Sequence, residues 1–560
     1  MKSIKTYILT ICFFLPGLSQ AQTWQWAVSF GTSNYERGFS LSLHPNGSLY
    51  CTGDFASGSF ILSDTDVVYG YADYNAFLLQ YNLNGNLIKK NIGREAVLNS
   101  FPKSIGFGRL LLTENLQDYY SMITVAGDCR IDTTYIDSHL GSSCLAQWGT
   151  NTQLINYKPL HATDCNGNNI SGTSIVAFSK GKFYGIAPTG SKCTYFDTIR
   201  IDNPDSLIFN SSKAVFVKAD TAGHFMFAKQ VLGGKVTELS APVVLNDKIL
   251  FFGESDSCFV FDTIQACSLL GHGIGVLFVT DTNGSVFWSK PVYSNSGIYG
   301  VSSYTMDSNN NIYISGTFDS VLYIGNDVFY RQSPAYYGRF MAKFDSDGNL
   351  IWYKELYRTS TLQINLCRSN ASNKLYTFGN FSGSMALCGD TLTAQSSSDM
   401  FIARFDTAGN CLGIVTVPNA SVAGLVEDSA GNVYVTGAVY GTNAIAFDET
   451  TVMPQGNGDF FLAKLSAITG NTNRLLEDNR LTIYPNPNNQ NFTIVVPEAL
   501  VHGSTAHLSI LDNNGRVIKE EDTDISGNRV NTDISTVQKG MYTVILSHGH
   551  KKFTGRVVVE

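Results

Sequence analysis

Residues 340–348 read Phe-Met-Ala-Lys-Phe-Asp-Ser-Asp-Gly, and similar stretches stand at residues 77–85 and 401–409. Each stretch begins as an apolar strand and ends in a polar turn that closes with glycine. Weaker copies occupy residues 215–223, 277–284 and 461–470, and residues 144–152 form a degenerate copy. Short apolar runs separated by turns rich in Asn, Asp and Gly are typical of antiparallel hairpins.

A second segment recurs between these copies. It reads Leu-Tyr-Cys-Thr-Gly at residues 49–53 and Ile-Tyr-Ile-Ser-Gly at residues 312–316, with further copies at 375–379 and 433–437 and looser versions at 125–127, 183–187 and 250–253. The last three glycines lie 63 and 58 residues apart, and the six intervals from the first glycine to the last average 64 residues. A period of this length with about four strands per repeat indicates a β-propeller, and seven copies predict seven blades in residues 22–470.

The two ends of this repeated region complement each other. Residues 24–31 read Trp-Gln-Trp-Ala-Val-Ser-Phe-Gly and resemble the strand that follows a complete repeat, such as residues 349–355. The last repeat stops at Gly470 and lacks that strand. We therefore expect the N-terminal strand to complete the last blade, which would leave no open sheet edge.

The phrase Asp-Ser-Asp-Gly-Asn-Leu-Ile-Trp at residues 345–352 carries a family resemblance. With the rest of the repeat, it resembles the bacterial seven-bladed propeller repeats known as SBBP-type repeats, over roughly residues 23–470. The resemblance implies a structural or binding module with no fixed chemistry.

Composition agrees with an all-β protein. Of the 560 residues, 51 are glycine, 12% are aromatic and only 15% are charged, which is typical of neither helical bundles nor disordered chains. The net charge of −8 gives no electrostatic basis for binding nucleic acid or an anionic membrane.

Residues 1–21 have the pattern of a secretory signal peptide. Lys2 and Lys5 precede an apolar run from residue 7 to residue 18, and Ala21 ends a small-residue cleavage site. The apolar run is too short to span a bilayer, and no later segment is suitable. We expect an exported protein with no transmembrane segment.

Ten of the eleven cysteines follow this cleavage site. An even number in an exported chain permits disulfides, and Cys258 and Cys267 are close enough to staple one hairpin. Buried free cysteines within strands are the alternative.

The pattern changes after residue 470. Residues 471–480 form a short polar linker, and residues 481–560 contain several short strands that predict a small antiparallel β-sandwich. Four features occur there in order: Tyr-Pro-Asn-Pro, Asp-x-x-Gly-Arg-Val, Gly-x-Tyr and a valine-rich terminus. The residues that define the first three are Tyr484, Pro485, Asn486, Pro487, Gly515, Gly540 and Tyr542.

These motifs resemble the type A C-terminal sorting domain of the type IX secretion system of Bacteroidetes. The resemblance implies that residues 481–560 engage the type IX secretion machinery and direct the chain through the outer membrane. It further implies that the tail is usually removed and that the passenger is then released or attached to the cell surface. The alternative is a generic carbohydrate-binding-like sandwich with no sorting role.

The sequence offers no recognisable catalytic constellation. It contains no H-E-x-x-H, no G-x-S-x-G and no phosphate-binding loop, so no catalytic, cofactor-binding or metal-ligating residue is assigned. Acidic turns such as residues 281–284 and 345–349 resemble calcium loops but lack the downstream glutamate. Turn geometry is the favoured explanation, because Asx and Gly suit tight turns, and calcium is the alternative.

Two functional hypotheses follow. The first is a non-enzymatic propeller, secreted or attached to the outer-membrane surface, that binds a glycan or a protein through its loops. The second is a secreted polysaccharide hydrolase or lyase whose carboxylates meet near the propeller channel. Tyrosines in loop-like stretches could stack on a sugar ring or simply pack within their loops: Tyr69, Tyr71, Tyr74, Tyr336 and Tyr337.

Overall fold

In the computed structural model the chain divides into two compact units, an N-terminal unit up to residue 472 and a C-terminal unit from residue 473. The structure describes residues 23–559 except for 64–65, 96–103, 114–117, 127, 137–142, 161, 171–173, 190–191, 203–212, 234–236, 257, 268–272, 296–299, 333–336, 359–364, 369–373, 389, 449, 468–480, 487, 497–504, 513–515, 526–528, 535–536 and 549–550. The expected signal peptide with Ala21 and the expected linker at 471–480 lie outside the described residues.

Every regular element of the described residues is a strand, which confirms the all-β prediction. The strands of the N-terminal unit are β1 (Trp24–Phe30), β2 (Glu36–Leu43), β3 (Ser48–Ser63), β4 (Asp66–Asn82), β5 (Leu87–Glu95), β6 (Ser104–Phe107), β7 (Leu111–Leu112), β8 (Asp118–Ala126), β9 (Cys129–Ile131), β10 (Thr134–Ile136), β11 (Ser143–Gly149), β12 (Leu154–Pro159), β13 (Ala162–Asp164), β14 (Asn169–Ile170), β15 (Ser174–Ser179), β16 (Lys182–Thr189), β17 (Cys193–Phe196), β18 (Ile199–Asp202), β19 (Lys213–Asp220), β20 (Phe225–Gln230), β21 (Leu232–Gly233), β22 (Thr237–Leu239), β23 (Val243–Leu245), β24 (Lys248–Ser255), β25 (Cys258–Phe261), β26 (Ile264–Cys267), β27 (Ile274–Thr280), β28 (Val286–Ser294), β29 (Val301–Met306), β30 (Ile312–Phe318), β31 (Val321–Ile324), β32 (Asp327–Tyr330), β33 (Gly338–Phe344), β34 (Leu350–Arg358), β35 (Asn365–Arg368), β36 (Leu375–Phe381), β37 (Ser384–Leu387), β38 (Asp390–Thr393), β39 (Asp399–Phe405), β40 (Cys411–Val417), β41 (Ala420–Glu427), β42 (Val433–Val439), β43 (Ile445–Phe447), β44 (Thr450–Val452) and β45 (Asp459–Leu465).

The N-terminal unit repeats one arrangement, four antiparallel strands that we call a group. The first group is β2-β3-β4-β5, and later groups include β15-β16-β19-β20, β29-β30-β33-β34 and β35-β36-β39-β40. A short hairpin is inserted between the second and third strands of most groups. Three of these hairpins, β9-β10, β31-β32 and β37-β38, pair with the fourth strand of the preceding group, which is β5, β28 and β34 respectively. The inserted hairpins therefore tie neighbouring groups together.

The last group takes its fourth strand from the other end of the unit. Its sheet order is β1-β45-β42-β41, and β1 pairs antiparallel with β45 from Trp24–Leu465 to Phe30–Phe460. The backbone N–H of Trp24 also donates to the Asp448 carboxylate (2.7 Å). Two other groups show the same contact, since Asp197 accepts from Phe225 N and Asp262 accepts from Val286 N.

Tryptophans on the fourth strands bridge successive groups. The indole N–H of Trp288 donates to the Ser346 carbonyl (3.0 Å), which lies in a turn of the next group along the chain. Trp26 in β1 donates in the same way to the Leu83 carbonyl (3.2 Å) in the first group. The last group therefore contacts the first group as earlier neighbours contact each other.

Glycine is required where these indoles lie on the turns. A Cβ added to Gly348 would lie 2.9 Å from the Trp288 ring, and one added to Gly85 would lie 2.9 Å from the Trp26 ring. Both glycines also have φ near +85°, a conformation that other residues adopt only at a cost. Glycine is therefore required at the end of these turns for two reasons, the contact with the indole ring and the positive φ.

The second repeated segment requires glycine because a β-bulge lies in the neighbouring strand. The first strand of the last group shifts register between Val422 and Gly424, which brings the Ser421 carbonyl within 1.9 Å of the position that a Cβ on Gly437 would occupy. The equivalent distances at Gly53 and Gly316 are 2.0 and 2.2 Å. Across the sheet, each of these glycines pairs with the phenylalanine that begins the following copy of the first repeated segment, and these are Phe77, Phe340 and Phe461.

Among the described residues of the N-terminal unit, three disulfides join Cys165 to Cys193, Cys258 to Cys267, and Cys388 to Cys411. The second staples the β25-β26 hairpin, where the two cysteines face each other across the strands, so that the expectation from their spacing is confirmed. Cys51 and Cys144 are buried free thiols, and Cys129 is also buried. Burial raises the pKa of the Cys144 thiol to about 11, which keeps it protonated and unreactive.

The C-terminal unit contains two small sheets around one core. Its strands are β46 (Thr482–Tyr484), β47 (Asn491–Val495), β48 (Thr505–Leu511), β49 (Val517–Asp524), β50 (Arg529–Asp533), β51 (Gly540–His548) and β52 (Lys551–Val559). One sheet has the order β46-β47-β50 and the other β49-β48-β51-β52. Buried side chains of both sheets, including Phe492 and Ile494 from one and Leu508 and Val544 from the other, form a single hydrophobic cluster.

We expect deletion of residues 22–31 to expose the edge of β45 and to cause aggregation, because unpaired strand edges template pairing with other chains. Light scattering and thermal unfolding of the deletion variant would test this. Gln25→Ala, which changes only an exposed side chain of β1, is the matched control. A monomeric deletion variant with an unchanged melting temperature would show that β1 does not close the unit.

We expect Gly437→Ala to lower the free energy of unfolding by about 1–3 kcal/mol, since the added methyl overlaps a backbone carbonyl that cannot rotate away. Gly108→Ala is the comparison, because there a Cβ would also face a backbone carbonyl, that of Met122, but at 3.3 Å, so that a shift of a few tenths of an ångström accommodates it. Thermal or denaturant unfolding would compare the two variants. Equal stability of both would contradict the role assigned to the bulge.

Candidate functional site

The Tyr-Pro-Asn motif lies at the end of the first strand of the C-terminal unit. Tyr484 is the last residue of β46, and its ring is 39% exposed beneath the Arg529 guanidinium at 5.9 Å. Pro485 follows it where the strand ends, as expected of a residue that lacks the N–H needed by a sheet. Pro487 lies outside the described residues.

Asn486 clamps the last strand of the chain. Its Nδ2 donates to the Arg556 carbonyl (2.9 Å), and its Oδ1 accepts from the Val558 backbone N–H (2.8 Å). Asn488, which is 5% exposed, adds two hydrogen bonds to the Val558 carbonyl, from its backbone N (2.9 Å) and from its Nδ2 (3.2 Å). Two asparagines thus hold β52 from a position about seventy residues earlier in the chain.

Gly540 and Tyr542 hold the same strand from its other side. Gly540 begins β51 and pairs with Val559, and Tyr542 pairs with Val557. The Tyr542 ring is buried in the core, and its hydroxyl donates to the Gln538 carbonyl (2.6 Å). The described motif residues therefore converge on β52, and Gly515 lies outside the described residues.

Sequence reasoning missed Asn488, Gln538 and Arg529 in this arrangement. Asn488 stands in the polar run Asn-Pro-Asn-Asn-Gln-Asn, in which nothing distinguishes it from its neighbours. Gln538 contributes only its backbone carbonyl, so its side chain carries no signal.

The acidic turns use their carboxylates as turn acceptors. In the turn that begins at Asp345, Oδ1 accepts from the backbone N–H groups of Asp347 and Asn349, and Oδ2 accepts from the Asn349 side chain. Burial opposes ionisation, but these hydrogen bonds hold the pKa of Asp345 below its ordinary value. Asp307, Asp406 and Asp428 make the same set of bonds, and the described residues contain no group of three His, Cys, Asp or Glu side chains placed to hold a metal ion.

Exposed aromatic side chains lie together on the first group. Tyr35 is 50% exposed, Phe39 42% and Tyr74 49%. The Arg37 guanidinium lies over the Phe39 ring, 5.1 Å from its centre. Of the tyrosines singled out from the sequence, Tyr69 is also exposed (57%), whereas Tyr336 and the side chain of Tyr71 lie outside the described part of the chain.

Three buried carboxylates lie close to this surface. Glu36, Asp54 and Asp459 are 0%, 7% and 1% exposed. Burial raises the pKa of Glu36 despite hydrogen bonds from Thr32, and the charges of Asp459 and Asp54 raise it further. Burial also raises the pKa of Asp54 and that of Asp459.

Each of these carboxylates has a partner. Glu36 accepts from the backbone N–H (3.0 Å) and the hydroxyl (2.8 Å) of Thr32, and Asp459 Oδ2 accepts from Gln455 N (2.7 Å). Asp54 forms a two-point ion pair with Arg37, with Nε to Oδ1 at 3.3 Å and Nη2 to Oδ2 at 3.0 Å. These contacts hold the loop before β2 and the start of β45 in place.

Residues 482–560 match the family described as the secretion system C-terminal sorting domain. The C-terminal unit is therefore a sorting domain of the type IX secretion system, and the expected resemblance is confirmed. The protein is accordingly exported, to be secreted or attached to the cell surface. In the described part of the chain, no helix has the length and hydropathy needed to cross a membrane.

No curated protein matches the chain. Among solved structures, similarity is found to the Dos1 propeller, with 8% identity, coverage of 80% of this chain and 95% of that chain, and a TM-score of 0.36. The intramolecular trans-sialidase from Ruminococcus gnavus matches at 10% identity, 78% and 95% coverage and a TM-score of 0.33. A protein of unknown function from Dyadobacter fermentans matches at 8% identity, 80% and 99% coverage and a TM-score of 0.34. Likeness at this level carries no argument about function.

We expect Asn486→Ala to loosen β52, because it removes two hydrogen bonds worth about 0.5–1.5 kcal/mol each. Hydrogen exchange of residues 551–559 in the full chain should become roughly tenfold faster or more. Asn489→Ala, at an exposed position in the same turn region, is the control. Unchanged exchange in the Asn486 variant would show that the motif does not secure the last strand.

Proposed function

We propose that the protein is an exported, non-enzymatic binding protein whose N-terminal unit is a seven-bladed β-propeller and whose C-terminal unit is a β-sandwich that serves the type IX machinery. In this proposal the four-strand groups are the blades, and residues 1–21 are a signal peptide that delivers the chain to the periplasm. The tail at 481–560 then directs passage through the outer membrane, followed by release or surface attachment.

A closed ring is supported by the contacts between the first and last groups. Besides the hydrogen bond of Trp26, the first strands of the two groups touch: a Cβ on Gly424 would lie 2.9 Å from the Leu41 backbone N, and one on Gly38 would lie 2.2 Å from Thr436 Oγ1. Such contact between the first and last repeats is what a propeller requires. The sandwich is supported by the single core that the two C-terminal sheets share.

Binding is supported above all by the exposed rings of Tyr35, Phe39 and Tyr74 on the first group. Large aromatic side chains elsewhere in the strands are mostly buried, so a set of exposed rings around an ion pair marks a surface suited to a ligand. The buried carboxylates nearby are occupied by Thr32, Arg37 and Gln455, which favours a structural role for them.

The alternative is a polysaccharide hydrolase or lyase. The observation that favours it is the set Glu36, Asp54 and Asp459, since a carboxyl whose pKa is raised by burial can act as a general acid. Such an enzyme would release product from its substrate, whereas a binding module would not.

The experiment presents the full mature chain with a panel of polysaccharides and glycoproteins, in calcium and in chelator, and reads retention and product release together. We expect retention without product. Product formation would overturn the proposal in favour of the enzyme, and loss of retention in chelator would restore calcium to the acidic turns. Retention of nothing in the panel would count against a glycan ligand and direct the search to protein partners.

A further inference from the structure

We propose that the surface formed by Tyr35, Arg37, Phe39, Asp54 and Tyr74, the Arg37 surface, binds an uncharged carbohydrate chain. The inference rests on the proposed binding function and names its site and the chemical class of its ligand. It stands on the register of the first group, the exposure of the three rings and the charge balance of the ion pair.

Register places these residues on one face of the sheet. Arg37 pairs with Asp54, and Asp54 with Ala76. Two positions further along, the Ala56 backbone N–H donates to the Tyr35 carbonyl (2.9 Å), and Ala56 pairs with Tyr74. Because side chains two residues apart in a strand share a face, Tyr35 and Tyr74 lie on the same side as the ion pair.

The two tyrosines flank a small residue. Tyr35 and Tyr74 stand on either side of Ala56, roughly 10 Å apart at two strand spacings. A methyl group between two half-exposed rings leaves a shallow slot whose walls are aromatic faces. A pyranose ring has apolar C–H faces that pack on such walls and hydroxyl groups at its edge that need hydrogen-bond partners.

The surface continues onto the last group. A Cβ on Gly458, just before β45, would lie 3.1 Å from both the Tyr35 and the Tyr440 rings, so that Tyr440 stands next to Tyr35. Its hydroxyl is hydrogen-bonded to Ser421 Oγ (2.8 Å). The aromatic surface thus crosses the junction of the two groups, which suits a chain of several sugar units.

The charges of Arg37 and Asp54 cancel, which favours an uncharged ligand over an anionic one. Asp54 holds the guanidinium of Arg37 at two points, so the pair presents no net charge. A guanidinium has five N–H donors, and the Arg37 side chain remains 42% exposed, which leaves donors for sugar hydroxyls. An anionic polysaccharide would have to compete with Asp54 for the Arg37 guanidinium.

The test uses affinity electrophoresis of the full mature chain in gels that contain a soluble β-glucan, mannan, xylan or starch, with polygalacturonate and a sulfated polysaccharide as charged comparators. We expect at least one neutral polymer to retard the protein and the charged polymers not to do so. Tyr35→Ala and Tyr74→Ala should each weaken the interaction about tenfold or more, because truncating an aromatic anchor removes most of its contact area. Arg37→Lys should also weaken it, since lysine keeps the charge but loses the planar two-point geometry.

Tyr330→Ala is the matched control, because Tyr330 is 67% exposed but lies on a different group. This variant should bind the polymer as the unaltered chain does. The tyrosine variants should keep the melting temperature of the unaltered chain, which separates loss of binding from loss of folding.

Two results would overturn the inference and leave the proposed function standing. One is equal retardation of the Tyr35, Tyr74 and Tyr330 variants, which would place the carbohydrate elsewhere. The other is retention by charged polymers alone, or by a glycoprotein through its protein part, which would change the class of ligand. Release of reducing ends from any polymer would instead overturn the proposed function itself.

Discussion

The pairing of β1 with β45 is the constraint on which the N-terminal unit depends. These strands lie more than four hundred residues apart in the chain, yet their hydrogen bonds supply the fourth strand of the last group. The Trp26 indole then reaches the turn at Leu83 and Gly85 in the first group, as Trp288 reaches the turn of its own neighbour. Without this pairing the sheet of the last group would end at β45, and the last group would lose its indole contact with the first group, the contact by which Trp288 also joins its own group to the next.

The repeated strands and turns could be predicted from the sequence at positions where the structure tolerates only one residue type. Gly85 and Gly348 must be glycine because an indole lies on them and because φ is positive there, so a repeated Gly is a reliable signal of a repeated turn. Gly437 must be glycine because a bulge moves the Ser421 carbonyl beneath it. The bulge itself was not predicted from the sequence, although Gly424 within an otherwise apolar strand is a residue that often marks one.

Other features could not be predicted because they depend on which residues meet in space. The short hairpins between second and third strands, such as β31-β32, were not predicted, because their strands are only about four residues long and lie in stretches that resemble loops. Cys165 pairs with Cys193 and Cys388 with Cys411, and only the Cys258–Cys267 pair was suggested by spacing. The Arg37 surface combines residues that are far apart in the chain. Tyr74 lies on the same face as Tyr35 only because β3 pairs Ala56 with Tyr74 on one side and meets Tyr35 on the other. In the sorting domain the motif residues were found by their order, but their shared task of holding β52 became visible only in three dimensions.

The shared last sheet has a consequence for the order of events during export. A polypeptide delivered N-terminus first presents β1 long before β45 exists on the same side of the membrane, so the first segment to arrive waits for the last segment of its own sheet. During that interval β1 has no partner strand. The sorting domain at residues 482–560 follows β45 in the chain. A chain truncated before β45 therefore lacks both the strand that pairs with β1 and the domain that directs export.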